Sequence, residues 1–345
     1  MSGLPSLILA AATALVCSAL LTPVAIRVAS RYGFLDRPGG YKAHAAATPL
    51  LGGLPVAAGF LVAVIVSLAY AAPGRHPDVF AFGLGAVIIV AAGLMDDLRG
   101  LSPTRKLAWQ VAAATAAGLT LAVLGVRVDL FLGWSAAPLV VLTVLWIVGV
   151  TNAVNLMDNM NGLCAGLGTL AGACLALFNL RTGEFAVATI AAALSGACLG
   201  FLFFNWPKGR IFLGDTGSML IGYSLASLSV MGVYTRGAEV PALAVLAPLF
   251  ILAVPLLDVL AVVLLRLKDG RAPWRGDRCH VSHRLVARGL GPLAAVATVW
   301  LAILGCGVAA LLLPTVGITE APLLLLLLAC LLGAVFAAAG SQGLE

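Results

Sequence analysis

The chain has 345 residues, of which 62% are hydrophobic and only 10% are charged, and its formal net charge is +6. Soluble globular domains carry about 25% charged residues, and disordered chains are polar and highly charged, so both classes are excluded. The composition is that of a protein embedded in a bilayer, which a helix crosses with about 20 mostly apolar residues.

Eleven apolar runs are long enough to be predicted as membrane-spanning helices. They are rich in Leu and Ala and do not alternate, which favours helices over barrel strands. The first run is too long for the core of a signal peptide and lacks a basic start, so we expect it to be a span. The predicted spans are 4–29, 51–71, 79–95, 107–125, 130–151, 163–180, 185–204, 212–233, 241–267, 291–313 and 321–340.

These runs predict an all-α polytopic membrane protein with about 10–11 transmembrane helices. We expect a single integral membrane domain over 1–340 and a short polar tail over 341–345. The cysteines are scattered, mostly inside apolar runs, and indicate no disulfide framework.

Lys and Arg are distributed unequally between the two sides, with sixteen on one and four on the other. The positive-inside rule predicts that the richer side is cytoplasmic, with the N-terminus outside and the C-terminus inside. Topology and anionic lipid headgroups account for the net charge, so we expect membrane lipids and no nucleic acid as partners. The internal loops also carry nearly every unusual residue, which predicts an active site on the cytoplasmic face of the inner (plasma) membrane.

The first two internal motifs are "YKAHAAATPLLGG", with Lys42 and His44, and "GLMDDLRG", with Asp96 and Asp97. Adjacent aspartates are common at solvated helix ends, which is the ordinary interpretation of the second motif. However, carboxylates at the point where an apolar helix leaves the membrane cost desolvation energy. They also offer a base or a metal ligand to a phosphate held at the interface.

The stretch "NAVNLMDNMNGL" holds four of the six asparagines of the chain. Asn152, Asn155, Asp158 and Asn161 recur every three residues and would share one face of a helix, unless Gly162 makes part of the stretch a loop. A polar network between helices is the alternative. A cluster of this size inside apolar surroundings favours a ligand site, because buried amides without partners are costly.

The stretch "FNWPKGRIFLGDTGSMLIGY" combines glycines with Asp215 and Ser218 at the predicted start of the eighth span. Glycines and a helix N-terminus suit a phosphate, and a carboxylate is a hard ligand of the type that magnesium prefers. An ordinary capped helix start is the alternative. Phe212 could stack on a base or anchor the helix in lipid.

The basic loop "DRCHVSHRLVARG" contains His280 and His283. With Cys279 they could suggest zinc, but structural zinc sites take four ligands, so a phosphate-binding arrangement of His and Arg is favoured. A plain basic cytoplasmic loop is the alternative. Asp258 lies inside the ninth predicted span and is either a functional carboxylate or the partner of Arg266.

Taken together, these motifs resemble the polyprenyl-phosphate N-acetylhexosamine-1-phosphate transferase superfamily, of the glycosyltransferase family 4 type. The resemblance extends from about Lys42 to His283 in the family's order: a basic "K…H…P…GG" motif, a "DD" pair, "NxxNxxD", "FLGDTGS" and a terminal His motif. "DRCHVSHRL" is similar to the "HxHH" motif of the undecaprenyl-phosphate GlcNAc-1-phosphate transferase branch and lacks the triple-His form of the muramoyl-pentapeptide branch. Asn161 departs from the aspartate usual in bacterial members, while eukaryotic relatives carry Asn there.

The resemblance implies transfer of a HexNAc-1-phosphate, expected to be GlcNAc-1-phosphate, from a UDP-sugar to undecaprenyl (polyprenyl) phosphate. The products would be a lipid-diphosphate-sugar and UMP, in the first membrane step of cell-envelope polysaccharide synthesis. The alternatives are a phospho-N-acetylmuramoyl-pentapeptide transferase and a sugar-nucleotide transporter. A homodimer is compatible with each of these.

The resemblance also implies a Mg²⁺ cofactor, with Mn²⁺ as a substitute, held by Asp215 and Asn161. The catalytic groups expected are Asp96, Asp97, Asp158, His280 and His283. The groups expected to bind UDP-HexNAc and undecaprenyl phosphate are Lys42, His44, Asn155, Asn205, Phe212 and Arg278.

Overall fold

The computed structural model describes residues 3–36, 47–70, 77–123, 136–234, 242–272, 279–317 and 319–340. Within these ranges the chain forms thirteen α-helices, which confirms the prediction of an all-α fold. The helices are α1 (Gly3–Tyr32), α2 (Gly53–Tyr70), α3 (Pro77–Arg99), α4 (Pro103–Val123), α5 (Ala136–Leu156), α6 (Leu163–Thr182), α7 (Phe185–Asn205), α8 (Gly214–Met231), α9 (Ala247–Ile251), α10 (Ala253–Lys268), α11 (Val281–Ala287), α12 (Pro292–Leu312) and α13 (Ala321–Ala339). Short 3-10 turns cover Ala242–Leu246 and Leu313–Thr315, and β1 (Leu35–Asp36) pairs antiparallel with β2 (Thr48–Pro49).

In the described part of the chain, each of the eleven predicted apolar runs overlaps a helix. Among the described residues, seven helices are long and apolar enough to cross a membrane alone, and one bent pair raises the number to eight. These findings confirm a multi-pass membrane protein. The apolar segment Gly53–Ser67, within α2, is shorter than these seven helices.

The predicted run 241–267 is not one straight helix. Its two arms, Leu243–Ile251 and Ala253–Lys268, meet at an angle of 66°. The reason lies in Pro255, which has no N–H to donate to the carbonyl of Ile251 and whose ring would collide with that carbonyl in a continuous helix. The bend gives the second arm, α10, a direction of its own, and Asp258 lies on that arm.

Helix α8 occupies the centre of the bundle, between α3 and α5. Its residues from Thr216 to Ser229 are buried throughout. Gly93 of α3 approaches the backbone of α8 closely, because a Cβ atom at this position would lie 2.5 Å from the Cα atom of Thr216. The end of α3 therefore rests backbone to backbone on the start of α8.

Helix α11 lies in the segment that the sequence suggests to be a basic loop. It packs against α12 and α13. The Arg284 guanidinium donates a hydrogen bond to the carbonyl oxygen of Gly340, at the C-terminal end of α13. A cation at that end of a helix is favoured by the helix dipole, so this contact helps to fix α11.

Candidate active site

Asp97 caps the first turn of α8. Its Oδ1 atom accepts a hydrogen bond from the backbone N–H of Asp215 at 2.7 Å. Its Oδ2 atom accepts from the backbone N–H of Thr216 at 3.0 Å and from the Thr216 hydroxyl at 2.5 Å. The first turn of a helix has no internal partners for its N–H groups, so this carboxylate satisfies two of them and fixes the position of Asp215.

The capping geometry depends on Gly214, whose φ is +72°. A Cβ atom on Gly214 would lie 2.7 Å from Oδ1 of Asp97. Glycine thus supplies both the left-handed backbone and the space that the capping carboxylate needs.

Lys106 joins two of the predicted carboxylates. Its Nζ atom lies 2.9 Å from Oδ2 of Asp96 and 2.6 Å from Oδ1 of Asp215. Asp96 also accepts a hydrogen bond from the backbone N–H of Leu101 at 2.5 Å, which anchors the turn between α3 and α4. The Asp215 side chain is 32% exposed, so the contacts of this carboxylate leave it accessible to a ligand.

Asn155, at the end of α5, approaches the same carboxylate from the other side. Its Nδ2 group donates to Oδ1 of Asp215 at 2.6 Å and to the hydroxyl of Ser218 at 2.7 Å. One turn earlier, Nδ2 of Asn152 donates to Oε1 of Gln110 at 2.6 Å. The asparagines of the stripe thus contact α8 and α4, as the alternative of a polar network between helices predicts, and Asn155 does so at the edge of the candidate site.

The stripe does not continue along one helix, because α5 ends at Leu156 and α6 begins at Leu163. Between them Asp158 and Asn161 lie in a turn that closes at Gly162, whose φ is +82°. Burial, followed by the negative charges of Asp215 and Asp97, raises the pKa of the Asp158 carboxyl to about 8. Burial is the first cause of this shift, and the like charges add to it because they disfavour ionisation.

We call Asp96, Asp97, Asp158 and Asp215, together with Lys106, the acid cluster. Its members come from the end of α3, the start of α4, the turn after α5 and the start of α8. The structure therefore brings together carboxylates that are up to 119 positions apart in the sequence.

Asn205 supports the turn that carries Asp158 and Asn161. Its Oδ1 atom accepts from the backbone N–H of Gly162 at 2.6 Å, and its Nδ2 group donates to the carbonyl of Ile211 at 2.9 Å. The side chain is buried, with an exposed fraction of 5%. Both ends of the amide are thus used to hold backbone in place, which is a different use from the substrate contact that the sequence suggests.

The other predicted members of this region lie around the same turn. The amide of Asn161 faces Gly209, where a Cβ atom would lie 2.6 Å from it. Phe212 is half-buried, and its backbone N–H donates to the carbonyl of Pro49 at 2.8 Å while its carbonyl accepts from Gly52 at 3.0 Å. The sequence motif that ends at Gly53 thus runs beside "FLGD". Three predicted ligand-binding residues, Lys42, His44 and Arg278, lie outside the described residues.

The histidine motif contacts α10 and the turn that carries Asp158. Nδ1 of His280 lies 2.7 Å from Oδ2 of Asp258. The hydroxyl of Ser282 donates to Oδ1 of Asn159 at 2.7 Å, which links the start of α11 to the residue that follows Asp158. His283 lies on α11 and is half-buried.

No group of three or more His, Cys, Asp or Glu side chains in the described part of the chain could hold a metal ion by itself. A structural zinc site is therefore not found there. Magnesium has a different requirement, since it keeps several waters and takes one or two protein oxygens together with substrate phosphates. An accessible Asp215 carboxylate in a cluster of four carboxylates and one ammonium group fits that requirement.

Two residues of the site escape sequence analysis. Lys106 is one of many basic residues at the ends of spans, and nothing in "SPTRKLAWQ" distinguishes it from Arg105. Gln110, one turn further, has the same local surroundings as any polar residue in a helix. The only sequence signal for Gln110 was a carboxamide within an apolar run, whereas Lys106 offered none.

Comparison with known proteins identifies the family. The sequence profile of the family described as Glycosyl transferase family 4 matches residues 79–233, from the third residue of α3 to just beyond the end of α8. A probable undecaprenyl-phosphate N-acetylglucosaminyl 1-phosphate transferase of Bacillus subtilis is 34% identical over 292 residues, covering 82% of this chain and 78% of the relative. A decaprenyl-phosphate N-acetylglucosaminephosphotransferase of Mycobacterium tuberculosis is 32% identical over 329 residues, covering 84% and 78%.

A phospho-N-acetylmuramoyl-pentapeptide-transferase of Desulforamulus reducens is 31% identical over 316 residues, covering 85% of this chain and 91% of the relative. Relatives from both predicted branches thus match nearly the whole chain, with the higher identity on the N-acetylglucosaminyl side. The motifs that converge on the acid cluster are those on which the resemblance rests. The chain therefore belongs to glycosyl transferase family 4, within the superfamily of polyprenyl-phosphate N-acetylhexosamine-1-phosphate transferases and closest to its undecaprenyl-phosphate GlcNAc-1-phosphate transferase branch.

Proposed function

We propose that this protein transfers N-acetylglucosamine 1-phosphate from UDP-N-acetylglucosamine to undecaprenyl phosphate. An oxygen of the lipid phosphate attacks the β-phosphorus of the nucleotide sugar. The bond between that phosphorus and the oxygen bridging to the α-phosphate breaks, and UMP leaves with the electron pair. The lipid-diphosphate-sugar stays in the membrane, where it would begin a cell-envelope polysaccharide.

The observation that carries this proposal is the acid cluster, at one end of a bundle of apolar helices. Lys106 bridges Asp96 and Asp215, and Asp97 holds the helix start on which Asp215 lies. A lipid phosphate reaches no deeper than the end of the hydrocarbon region, so a polar site at helix ends suits it. Transporters of small polar substrates place their sites near the midplane instead, which disfavours the transporter alternative.

The described contacts divide the carboxylates by role. Both oxygens of Asp97 are engaged in the cap of α8, so we assign it to the positioning of Asp215. Asp96 and Lys106 are then the pair that orients the lipid phosphate, whose second pKa near 6 leaves little proton removal to be done. The Lys106 ammonium also offsets part of the negative charge that two substrates bring together.

We assign Asp215 and Asn161 as the protein ligands of magnesium, with manganese as a substitute. When bound, the cation would neutralise the diphosphate and polarise its phosphorus–oxygen bonds. The pKa of Asp158 is raised, first by burial and then by the negative charges of Asp215 and Asp97, so its carboxyl favours the protonated form. Asn155 contributes an uncharged donor to the same pocket.

The histidines and the first internal motif complete the assignment. His280 and His283, on or next to α11, and Arg278 are proposed to stabilise the phosphates. Lys42, His44 and Phe212 are proposed to bind the nucleotide or the sugar. For Asn205 the buried amide contacts favour support of the Asp158 turn.

The location follows from charge. The side that carries the acid cluster also carries the larger share of Lys and Arg, which supports a cytoplasmic site in the inner (plasma) membrane. UDP-sugars are made in the cytoplasm, so donor and site would lie in one compartment.

The test is an exchange assay on the purified full chain in detergent with undecaprenyl phosphate, UDP-N-acetylglucosamine and radiolabelled UMP. Formation of labelled UDP-N-acetylglucosamine is expected with Mg²⁺ or Mn²⁺ and is expected to stop when EDTA removes the metal. Activity only with the pentapeptide-bearing muramoyl nucleotide would identify the other branch. No exchange with any UDP-sugar, in the presence of either metal, would contradict the proposal.

A further inference from the structure

Asp258 is a buried carboxylate in an apolar helix. It lies on α10, the second arm of the bent pair, and its exposed fraction is 0%. A carboxylate in such a place is costly unless it is paired and fully hydrogen-bonded. The sequence places it 22 residues before the partner that the structure shows.

Both oxygens of Asp258 are occupied, and by groups of the same segment. Oδ2 contacts Nδ1 of His280 at 2.7 Å, and Oδ1 accepts a hydrogen bond from the backbone N–H of Val281 at 2.7 Å. His280 itself is 4% exposed. One carboxylate thus determines the orientation of an imidazole ring and the start of the helix that follows it.

We infer that Asp258 is a positioning residue that holds His280 in the form with a proton on Nδ1, so that Nε2 is the ring nitrogen left for the substrate phosphates. The inference rests on the proposed function and deepens it. It also gives the bend at Leu252 a use, because the bend sets the direction of α10, on which Asp258 lies.

The tautomer follows from donor and acceptor chemistry. An ionised carboxylate only accepts hydrogen bonds, so the nitrogen facing it must carry a proton. The neutral ring then has its lone pair on Nε2, where it can accept a proton, and the ring that has gained this proton donates from Nε2 to a phosphate oxygen while the carboxylate remains as counter-charge. The two ring nitrogens lie on opposite edges, so Nε2 faces away from Asp258.

The segment is also anchored toward the acid cluster. Ser282, two residues after His280, donates to Asn159, which is adjacent to Asp158. Asp258 and Asn159 therefore hold the same short segment from two sides. With the ring and the helix start both fixed, a small displacement of Asp258 would move His280 relative to the phosphates.

The test begins with Asp258→Asn in the purified full chain. The asparagine Oδ1 still accepts from Val281, but its Nδ2 group donates to the ring and demands the other tautomer. We expect kcat in the UMP exchange to fall by about 100-fold, with the KM for UDP-N-acetylglucosamine changed less than about threefold. Asp269→Asn, an exposed carboxylate at the end of the same helix, is the matched control and should leave kcat unchanged.

A double-mutant cycle separates positioning from general stability. In a His280→Gln background, Asp258→Asn should lower kcat by less than about threefold further, because its effect acts through the ring. Two losses that multiply would overturn the inference, as would an Asp258→Asn variant with wild-type kcat. If wild-type protein showed no exchange at all, the proposed function would fail instead.

A measurement independent of activity uses wild-type protein with ¹⁵N-labelled histidine. The chain has four histidines, so the His280 signals can be assigned by their loss in His280→Gln. The ¹⁵N chemical shifts should show a proton on Nδ1 of His280. An unprotonated Nδ1 would overturn the inference whatever the enzyme assays show.

Discussion

The acid cluster and the Asp258–His280 pair are linked through the contact between Ser282 and Asn159, but their carboxylates differ in exposure and in how far their charge is compensated. The acid cluster has four carboxylates and one ammonium group, which contacts Asp96 and Asp215, and Asp215 stays 32% exposed. At Asp258 a single carboxylate meets an imidazole and a backbone N–H and is completely buried. The acid cluster therefore has more negative charge than its one ammonium group can neutralise, whereas both oxygens of Asp258 already have a hydrogen-bond partner.

This difference separates a ligand site from a support. Excess negative charge that remains accessible attracts a cation and discourages a helix bundle from closing over it. A carboxylate with both oxygens satisfied by its own chain has nothing left for a ligand and serves to orient a neighbour. The variants below test whether the two regions differ in this way.

The largest effect is expected from Asp215→Asn. The change keeps the shape of the side chain but removes the charge that Lys106 and the proposed cation share. We expect kcat in the UMP exchange to fall on the order of 10³-fold, while the protein is recovered from membranes in normal amount. Activity within about threefold of wild type would show that the accessible carboxylate is not the ligand site.

A smaller loss is expected from Lys106→Gln. Without the ammonium group, Asp96 and Asp215 face one another uncompensated, so the exchange rate should fall by about 100-fold. Arg105→Gln is the matched control, because it removes one exposed positive charge at the adjacent position and should change the rate by less than about twofold. Equal losses in the two variants would mean that net charge, and not the bridge, matters.

Gly93→Ala tests the contact that positions the acid cluster. The new Cβ atom would lie 2.5 Å from Cα of Thr216, so the start of α8 must shift, at a cost of about 1–3 kcal/mol. Gly83→Ala on the same helix is the control, since nothing lies within 4 Å of its Cβ position and a small stabilisation is expected. Thermal unfolding in detergent measures both, and equal midpoints would contradict the close approach.

The smallest effect concerns pH. The pKa of Asp158 is raised to about 8, above its ordinary value of 3.8, so the folded state binds more protons than the unfolded state between these pH values. The free energy of unfolding that the protonated Asp158 contributes is therefore lost as the pH rises toward 8. Asp158→Asn should remove this trend, so its melting temperature relative to wild type should increase by about 2 °C from pH 6 to pH 8.

The same experiment with Mg²⁺ sharpens the comparison. A bound cation favours the ionised carboxylate, so the pH trend of the wild-type protein should weaken when Mg²⁺ is added. A trend of the same slope in Asp158→Asn would assign it to another group. A melting temperature of the wild-type protein that rises with pH would contradict the expected loss of stability.

The sequence predicted the helices well because the bilayer imposes their length and composition. Runs such as 163–180 and 185–204 coincide with α6 and α7 to within two residues. The bend at Leu252 was not predicted, since an apolar run with a proline is compatible with a kinked span as well as a straight one. Helix α11 was also missed, because its seven residues are too few for a periodic pattern.

The motifs predicted which residue types the site would contain, but not how they would be used. Asp97 and Asn205 look like ligands in the sequence, yet their side chains hold backbone in place. Lys106 looks like any basic residue at a membrane boundary, yet it bridges Asp96 and Asp215. Each of these uses depends on a partner that is distant in the chain.

The sequence by itself determined that the chain is a multi-pass membrane protein and where its apolar helices lie. These properties follow from hydrophobicity and charge, which are sums over local residues. Only the tertiary structure decided that Asp215 receives Lys106 and Asn155, and that Asp258 meets His280. Hydrogen bonds and ion pairs act over about 3 Å, so they are decided by how helices pack and bend.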